Sequence, residues 1–150
     1  MKKKQFGIMQ GRIFPESYKV YNKFPKLWRE EYFATRKLGY NFSELIYDER
    51  VSKNNPIHNL NHKEILKVKK NSRLETYSMV LNFFAKNNLF LNTNEFIQTL
   101  KVLVKFSKKI NVKVIVIPII EKSSSDYVKL NNLIKKLHQK FKSEKIIFSF

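Results

Sequence analysis

No cysteine occurs in the 150 residues. That absence excludes a disulfide framework, a thiolate zinc site and a cysteine nucleophile, and it suits a reducing compartment. Glycine is nearly as scarce, with three residues, Gly7, Gly11 and Gly39. Glycines so placed build neither a GxGxxG dinucleotide fingerprint nor a Walker loop. Long hydrophobic runs are missing too. The longest aliphatic stretch, VIVIPII from Val114 to Ile120, falls well short of the roughly 20 residues that cross a bilayer. Lys2, Lys3 and Lys4 imitate the start of a secretory leader, but Gln10 and Arg12 break the apolar run behind them and no small-residue cleavage site follows. These absences read as a soluble, cytoplasmic chain with no membrane partner.

Negative charge is also in short supply: 12 acidic residues stand against 30 basic ones, for a net charge of +18. Such a balance suits nucleic acid or an anionic surface. Arginine, however, accounts for only five of the basic residues, and the basic residues are spread along the whole chain without a block. Fifteen asparagines accompany 25 lysines, a pairing expected of AT-rich coding. The charge is therefore read as solvated helix faces, with nucleic acid not the expected partner. The same field favours small anionic substrates.

Hydrophobic residues make up 43% of the chain, enough for a core. Strand-like and helix-like patterns alternate. QFGIMQ (5–10) reads as a strand, and PKLWREEYFATRKLGY as a helix that Gly39 ends. FSELIYD (42–48) is a second strand. NHKEILKVKK (61–70) is a helix, with Asn61 as its N-cap and Glu64 three residues on. A third strand centres on residues 76–81. The helix from Thr93 or Asn94 to Ile110 carries Phe96, Ile97, Leu100, Leu103 and Val104 on one face. VKVIVIPII (112–120) does not alternate and reads as a strand buried on both faces. The last helix, capped by Ser124 or Ser125, repeats Leu130, Leu133, Ile134, Leu137 and Phe141. EKIIFSF is the fifth strand.

Five strands separated by four helices predict an α/β chain with a parallel sheet in one domain spanning residues 1–150. Two architectures fit: a five-stranded doubly wound, flavodoxin-like sheet, or part of a (β/α)8 TIM barrel, which needs eight strands. Length favours the first. A non-enzymatic basic domain that binds nucleic acid or another anionic ligand is the function that would go with it.

The motifs favour the barrel. The stretch GIMQGRI (Gly7–Ile13), Phe24-Pro25, Trp28, Leu38-Gly39, Glu44, Ile46-Tyr47-Asp48, Asn-Pro at residues 55 and 56, and SMVLNFF (78–84) recur in one order. In that order they resemble the amino-terminal part of the sugar phosphate isomerases/epimerases of the xylose isomerase-like barrel superfamily, and within them the ketose-phosphate 3-epimerase type. The resemblance implies a metal-dependent isomerase that moves a proton next to the carbonyl of a ketose phosphate, with Mn, Mg, Zn or Co as the divalent metal. It also implies where the site lies. Gln10, Gly11 and Arg12 follow strand one, Glu44 and Tyr47 belong to strand two, Asn82 to strand three and Glu121 to strand four, all at carboxyl ends of strands, where barrel enzymes place their chemistry.

Two departures qualify the picture. Asn82 stands where the family has an Asp, and an amide takes up no proton. The family's metal carboxylates and histidine come on later strands, from about the point where this sequence stops. The chain is therefore expected to lack metal ligands, to be inactive alone as a truncated barrel, and to need a companion chain or a homo-oligomer to complete the fold. No residue is assigned a catalytic role. Each site residue has a plainer reading as well. Arg12 can be a solvated loop residue, Gly11 an ordinary turn, Glu44 half of an internal pair, and Glu121 a loop cap. Trp28 reads mainly as packing. His58 and His62, four apart, invite a metal reading, but no third ligand accompanies them. His138 reads as surface.

Overall fold

The computed structural model describes residues 6–14, 23–48, 54–82, 93–119 and 127–150. Among them lie five strands and four α-helices in strict alternation: β1 Gly7–Met9, α1 Trp28–Lys37, β2 Phe42–Ile46, α2 His62–Ser72, β3 Glu75–Val80, α3 Thr93–Lys109, β4 Val114–Val116, α4 Tyr127–Phe141 and β5 Ile147–Ser149. A short 3₁₀ turn, Lys142–Glu144, leads into β5.

Local chemistry sets these boundaries. The side chain of Asn61 accepts the Glu64 backbone N–H at 3.3 Å, while its amide donates to the Glu64 carboxylate at 3.2 Å, so the predicted cap starts α2. Gly39, at φ 92°, follows the end of α1. At the end of α2 the left-handed position falls instead on Arg73, φ 55°. Arg29 pairs with Glu64 and ties α1 to α2.

All four strand pairs are parallel, and the order is β1-β2-β3-β4-β5. A doubly wound sheet reverses direction partway and puts later strands beside β1 on the other side. No reversal occurs here, so the flavodoxin-like alternative is excluded. Each strand lies beside its predecessor, which is the winding of a (β/α)8 barrel.

Alternation along the strands separates two faces. Leu45, Met79, Leu81, Ile115 and Ile117 join Trp28, Tyr32, Ile65, Leu100, Leu103 and Leu137 in one buried cluster under the helices. At roughly 25 cal/mol per Å2 of apolar surface, this layer supplies most of the folding drive. The other face carries Phe42, Tyr77, Val114, Val116 and Ile147, which are only partly covered. The strand at 112–120 was expected to be buried on both faces. Its regular part is shorter, and Val114 and Val116 are half-buried while Ile115 is fully covered. A run of β-branched residues signals a sheet interior but not what covers its second face.

Gly7 sits on that second face. A Cβ there would lie 1.9 Å from the Phe42 ring, which occupies the space and packs in turn on Tyr77. Trp28 is fully buried against Phe24 and Tyr32, so its role is packing.

Candidate functional site

The carboxyl ends of β1, β2 and β3 converge on a small group of polar side chains. The main irregularity of the sheet lies beside them. Ser43 pairs with Thr76, but Leu45 pairs with Met79, so Glu44 faces two residues of β3, Tyr77 and Ser78. This is a β-bulge, a device that re-aims a side chain. Thr76 and Met79 both point to the helix side: Thr76 meets the Tyr32 hydroxyl at 2.8 Å, and Met79 is in the core. The extra residue brings Ser78 to the opposite face, where its hydroxyl donates to the Glu44 carboxylate at 2.6 Å. That is a short, charge-assisted bond.

Across the sheet Glu44 stands in register with Met9 of β1. The turn that follows Met9 completes the group. Gln10 is buried; its backbone N–H donates to Glu44 O at 3.0 Å, and its side-chain oxygen accepts the Ile46 N–H at 3.2 Å. The Gln10 side chain thus extends the β1–β2 ladder by one rung. Its Nε2 is buried without a hydrogen-bond partner. Gly11 takes φ 76°, which lets the chain turn at once. Arg12 is exposed and its Nη2 lies 3.6 Å from Met9 Sδ.

The turn is held by a residue that sequence reasoning passed over. Glu31 of α1 is 2% exposed, and its two carboxylate oxygens accept the N–H of Gly11 at 3.0 Å and of Ile13 at 3.1 Å. Burial pushes its pKa above the ordinary value, and the backbone bonds from the turn pull it back only in part. A signal did exist: Glu31 sits three residues after Trp28 and beside Tyr32 on the face that α1 buries. A carboxylate on a core face requires partners.

The other site candidates separate from this group. Tyr47 packs against the helix-side core and stacks on His58 at 4.7 Å, and burial followed by the nearby Asp48 raises its pKa. His58 donates to or accepts from Asp48 O at 2.9 Å and lies 3.7 Å from its carboxylate, while Asp48 accepts the Phe24 N–H at 3.0 Å. His58 therefore belongs to a clamp between loops. It precedes α2, which begins at His62, so the two histidines do not share a helix face. Asn82 follows β3, half-buried. Glu121, Ser124 and Ser125 lie outside the described residues. His138 is exposed on α4, as expected.

Divalent metals of this chemistry need several carboxylate or imidazole ligands around one point. Among the described residues no three His, Asp or Glu side chains come together to hold an ion. Glu44 is engaged by a serine hydroxyl and Glu31 by backbone amides. The residues described here do not fit a metal centre. Nor, among them, is any helix long and apolar enough to cross a membrane.

No protein-family model and no curated protein matches the sequence. Among solved structures the chain is similar to a sugar phosphate isomerase/epimerase from Parabacteroides distasonis ATCC 8503, with a TM-score of 0.64 and 14% identity, over 97% of this chain and 50% of that one. The fold is a partial (β/α)8 barrel of the kind found in that isomerase/epimerase. The chain thus spans about half the length of the structure it matches. The barrel sets the inside and outside of the site. The helix-side cluster is the outer layer, and Glu44, Ser78, Tyr77 and Val116 stand on the face that lines a barrel.

Proposed function

We propose that this chain provides the sugar-phosphate-binding wall of an isomerase/epimerase-type barrel, taking a ketose phosphate across the carboxyl ends of β1, β2 and β3. One observation carries the reading: a bulge in the β2–β3 pairing aims Ser78 at Glu44, directly beside the Gln10–Arg12 turn. A carboxylate braced by a hydroxyl on a barrel's inner face is costly in an apolar sheet, and recognition of a sugar hydroxyl gives it a use. The Arg12 guanidinium serves the phosphate, which it can grip with two parallel hydrogen bonds. Gln10 and Gly11 shape the turn. Asn82 offers an amide to a hydroxyl. We place all of this in one domain with a phosphorylated sugar as its ligand.

Isomerising or epimerising such a sugar removes a proton next to the carbonyl, and the resulting enediolate is commonly stabilised by a divalent ion. The donor set described above does not hold one, so no step is assigned to a metal here. Turnover on this reading calls for ligands beyond the described residues, from further barrel strands or a companion chain. The chain alone binds without turning over.

The test is a titration of the isotopically labelled chain with ribulose 5-phosphate, followed by NMR. Shifts should concentrate at Gly11, Arg12, Glu44 and Ser78. Glu44→Gln should weaken binding about tenfold, the scale of one charge-assisted hydrogen bond, and Ser78→Ala by less. Absence of shifts at these amides under excess ligand would sink the proposal. Deuterium uptake at the carbon next to the carbonyl, catalysed by the chain alone with Mg2+, would instead show that it turns over unaided.

A further inference from the structure

The turn after β1 carries the feature that the proposed function leaves unexplained. Successive backbone N–H groups next to a left-handed residue form a concavity that takes anions. Here Gly11 supplies the left-handed residue, and the N–H groups of Gly11 and Ile13 converge on one carboxylate, that of Glu31. Glu31 comes from the buried face of α1 and is flanked there by Trp28, Tyr32 and Thr35, all essentially without solvent exposure. The concavity is therefore filled by a fixed internal anion and cannot also receive a ligand phosphate. What the turn offers outward is the side chain of Arg12, which lies over Met9, the residue in register with Glu44.

We propose that Glu31 is a positioning residue: it holds residues 11–14 so that the anionic group of a ligand is met by the Arg12 guanidinium and not by the amides of the turn, with ligand hydroxyls falling toward Glu44 and Ser78. The inference rests on the functional reading above and deepens it. It specifies the ligand as a compound with one compact anionic group a short distance from hydroxyls, and it makes Arg12, a side chain with a planar fork of donors, the discriminating contact. Neutralising Glu31 removes the charge on which the Gly11 and Ile13 amides converge. The turn then loses its register and Arg12 loses its place over Met9.

The experiment is a double-mutant cycle read by ribulose 5-phosphate affinity, with unphosphorylated ribulose as the control ligand. Arg12→Ala should weaken ribulose 5-phosphate binding about tenfold or more, as expected for a charge-assisted contact. Glu31→Gln should weaken it about fivefold when Arg12 is present, and by less than about twofold in the Arg12→Ala background, because contacts that act through one another are not additive. Affinity for ribulose should be the same in Glu31→Gln as in the unsubstituted chain. Gly11→Ala distorts the same turn without touching α1 and should reproduce the pattern, which keeps the test open if Glu31→Gln fails to fold. Equal losses in both Arg12 backgrounds, or an equal loss for ribulose, would reduce Glu31 to a general structural role and overturn the inference. No ribulose 5-phosphate binding by the unsubstituted chain would overturn the functional reading itself, and this inference with it.

Discussion

At the scale of single residues, the most informative group is the buried carboxylate that sequence reading overlooked. Glu31 is desolvated in the folded chain, and burial outweighs its backbone bonds in setting its pKa, which stands above the ordinary 4.5. The folded state therefore holds its proton more tightly than the unfolded state does. The linkage has a definite sign. The contribution of Glu31 favours folding fully below pH 4.5 and is lost as pH rises through the folded-state value. Glu31→Gln removes this pH-dependent part. Denaturant unfolding of both chains between pH 4 and pH 8 should show the stability difference, unsubstituted minus variant, falling as pH rises above about 4.5. A difference that grows with pH would contradict the assignment. In the polar group at the strand ends, Gln10, Gly11, Arg12 and Glu44 were legible beforehand through the family resemblance, which implies a site at the carboxyl ends of strands. Ser78 and Glu31 were not. The run Thr76 to Val80 reads as an uninterrupted strand, and a bulge leaves no mark in such a run. Glu31 was hidden because one of two adjacent acids in a helix rich in charge looks solvated until the helix's buried face is known.

At the scale of elements, short apolar runs for the strands and the 3.6-residue period for the helices were enough to place every strand and α-helix among the described residues, because each apolar stripe had to meet another. The Asn61 cap was legible for the same local reason. Strand lengths were less so. Val112 to Ile120 is apolar apart from Lys113, yet ladder pairing confines the strand to Val114–Val116. Where an element ends depends on its neighbours as well as on its own residues. Arg73 is an example with a measurable consequence. It takes φ 55° and ψ 32° after α2, a conformation in which a side chain crowds the following carbonyl. Glycine does this freely and is the usual occupant after a helix. Arg73 is exposed, so little packing is lost on removing it. Arg73→Gly should raise stability by about 1 kcal/mol, seen as a higher denaturant midpoint with an unchanged slope. A lowered midpoint would mean that the arginine side chain contributes more than its strain costs.

At the scale of the whole molecule, two opposing properties meet on one surface. A barrel of this type closes with eight strands and packs its interior with side chains, and the described residues supply five strands, with β1 and β5 as the two edges of the sheet. The inner face consequently shows apolar side chains to solvent: Tyr77 is 49% and Ile147 60% exposed. Ile147 alternates with Phe148, which packs on the helix-side core, so it stands on the open face at the β5 edge. Beside it, Leu137, Phe141, Ile146 and Phe150 line a groove of about 320 Å3. Apolar surface of this kind next to unpaired strand edges favours association. The net charge of +18 opposes it, since two copies repel before their edges can meet. Salt weakens the repulsion, because the Debye length falls from about 30 Å at 0.01 M to about 8 Å at 0.15 M, and leaves the hydrophobic attraction in place. Sedimentation velocity should therefore find mainly monomer at 10 mM NaCl and a rising weight-average mass at 300 mM. Ile147→Lys places a charge on the edge and should suppress the rise at high salt. Because Ile147 is already mostly solvated, the unfolding midpoint should change by less than about 0.5 kcal/mol equivalent. A monomer at every salt concentration would show that the exposed face is too small or too polar to drive pairing. An association that salt weakens would put charge pairing at the interface in place of apolar burial.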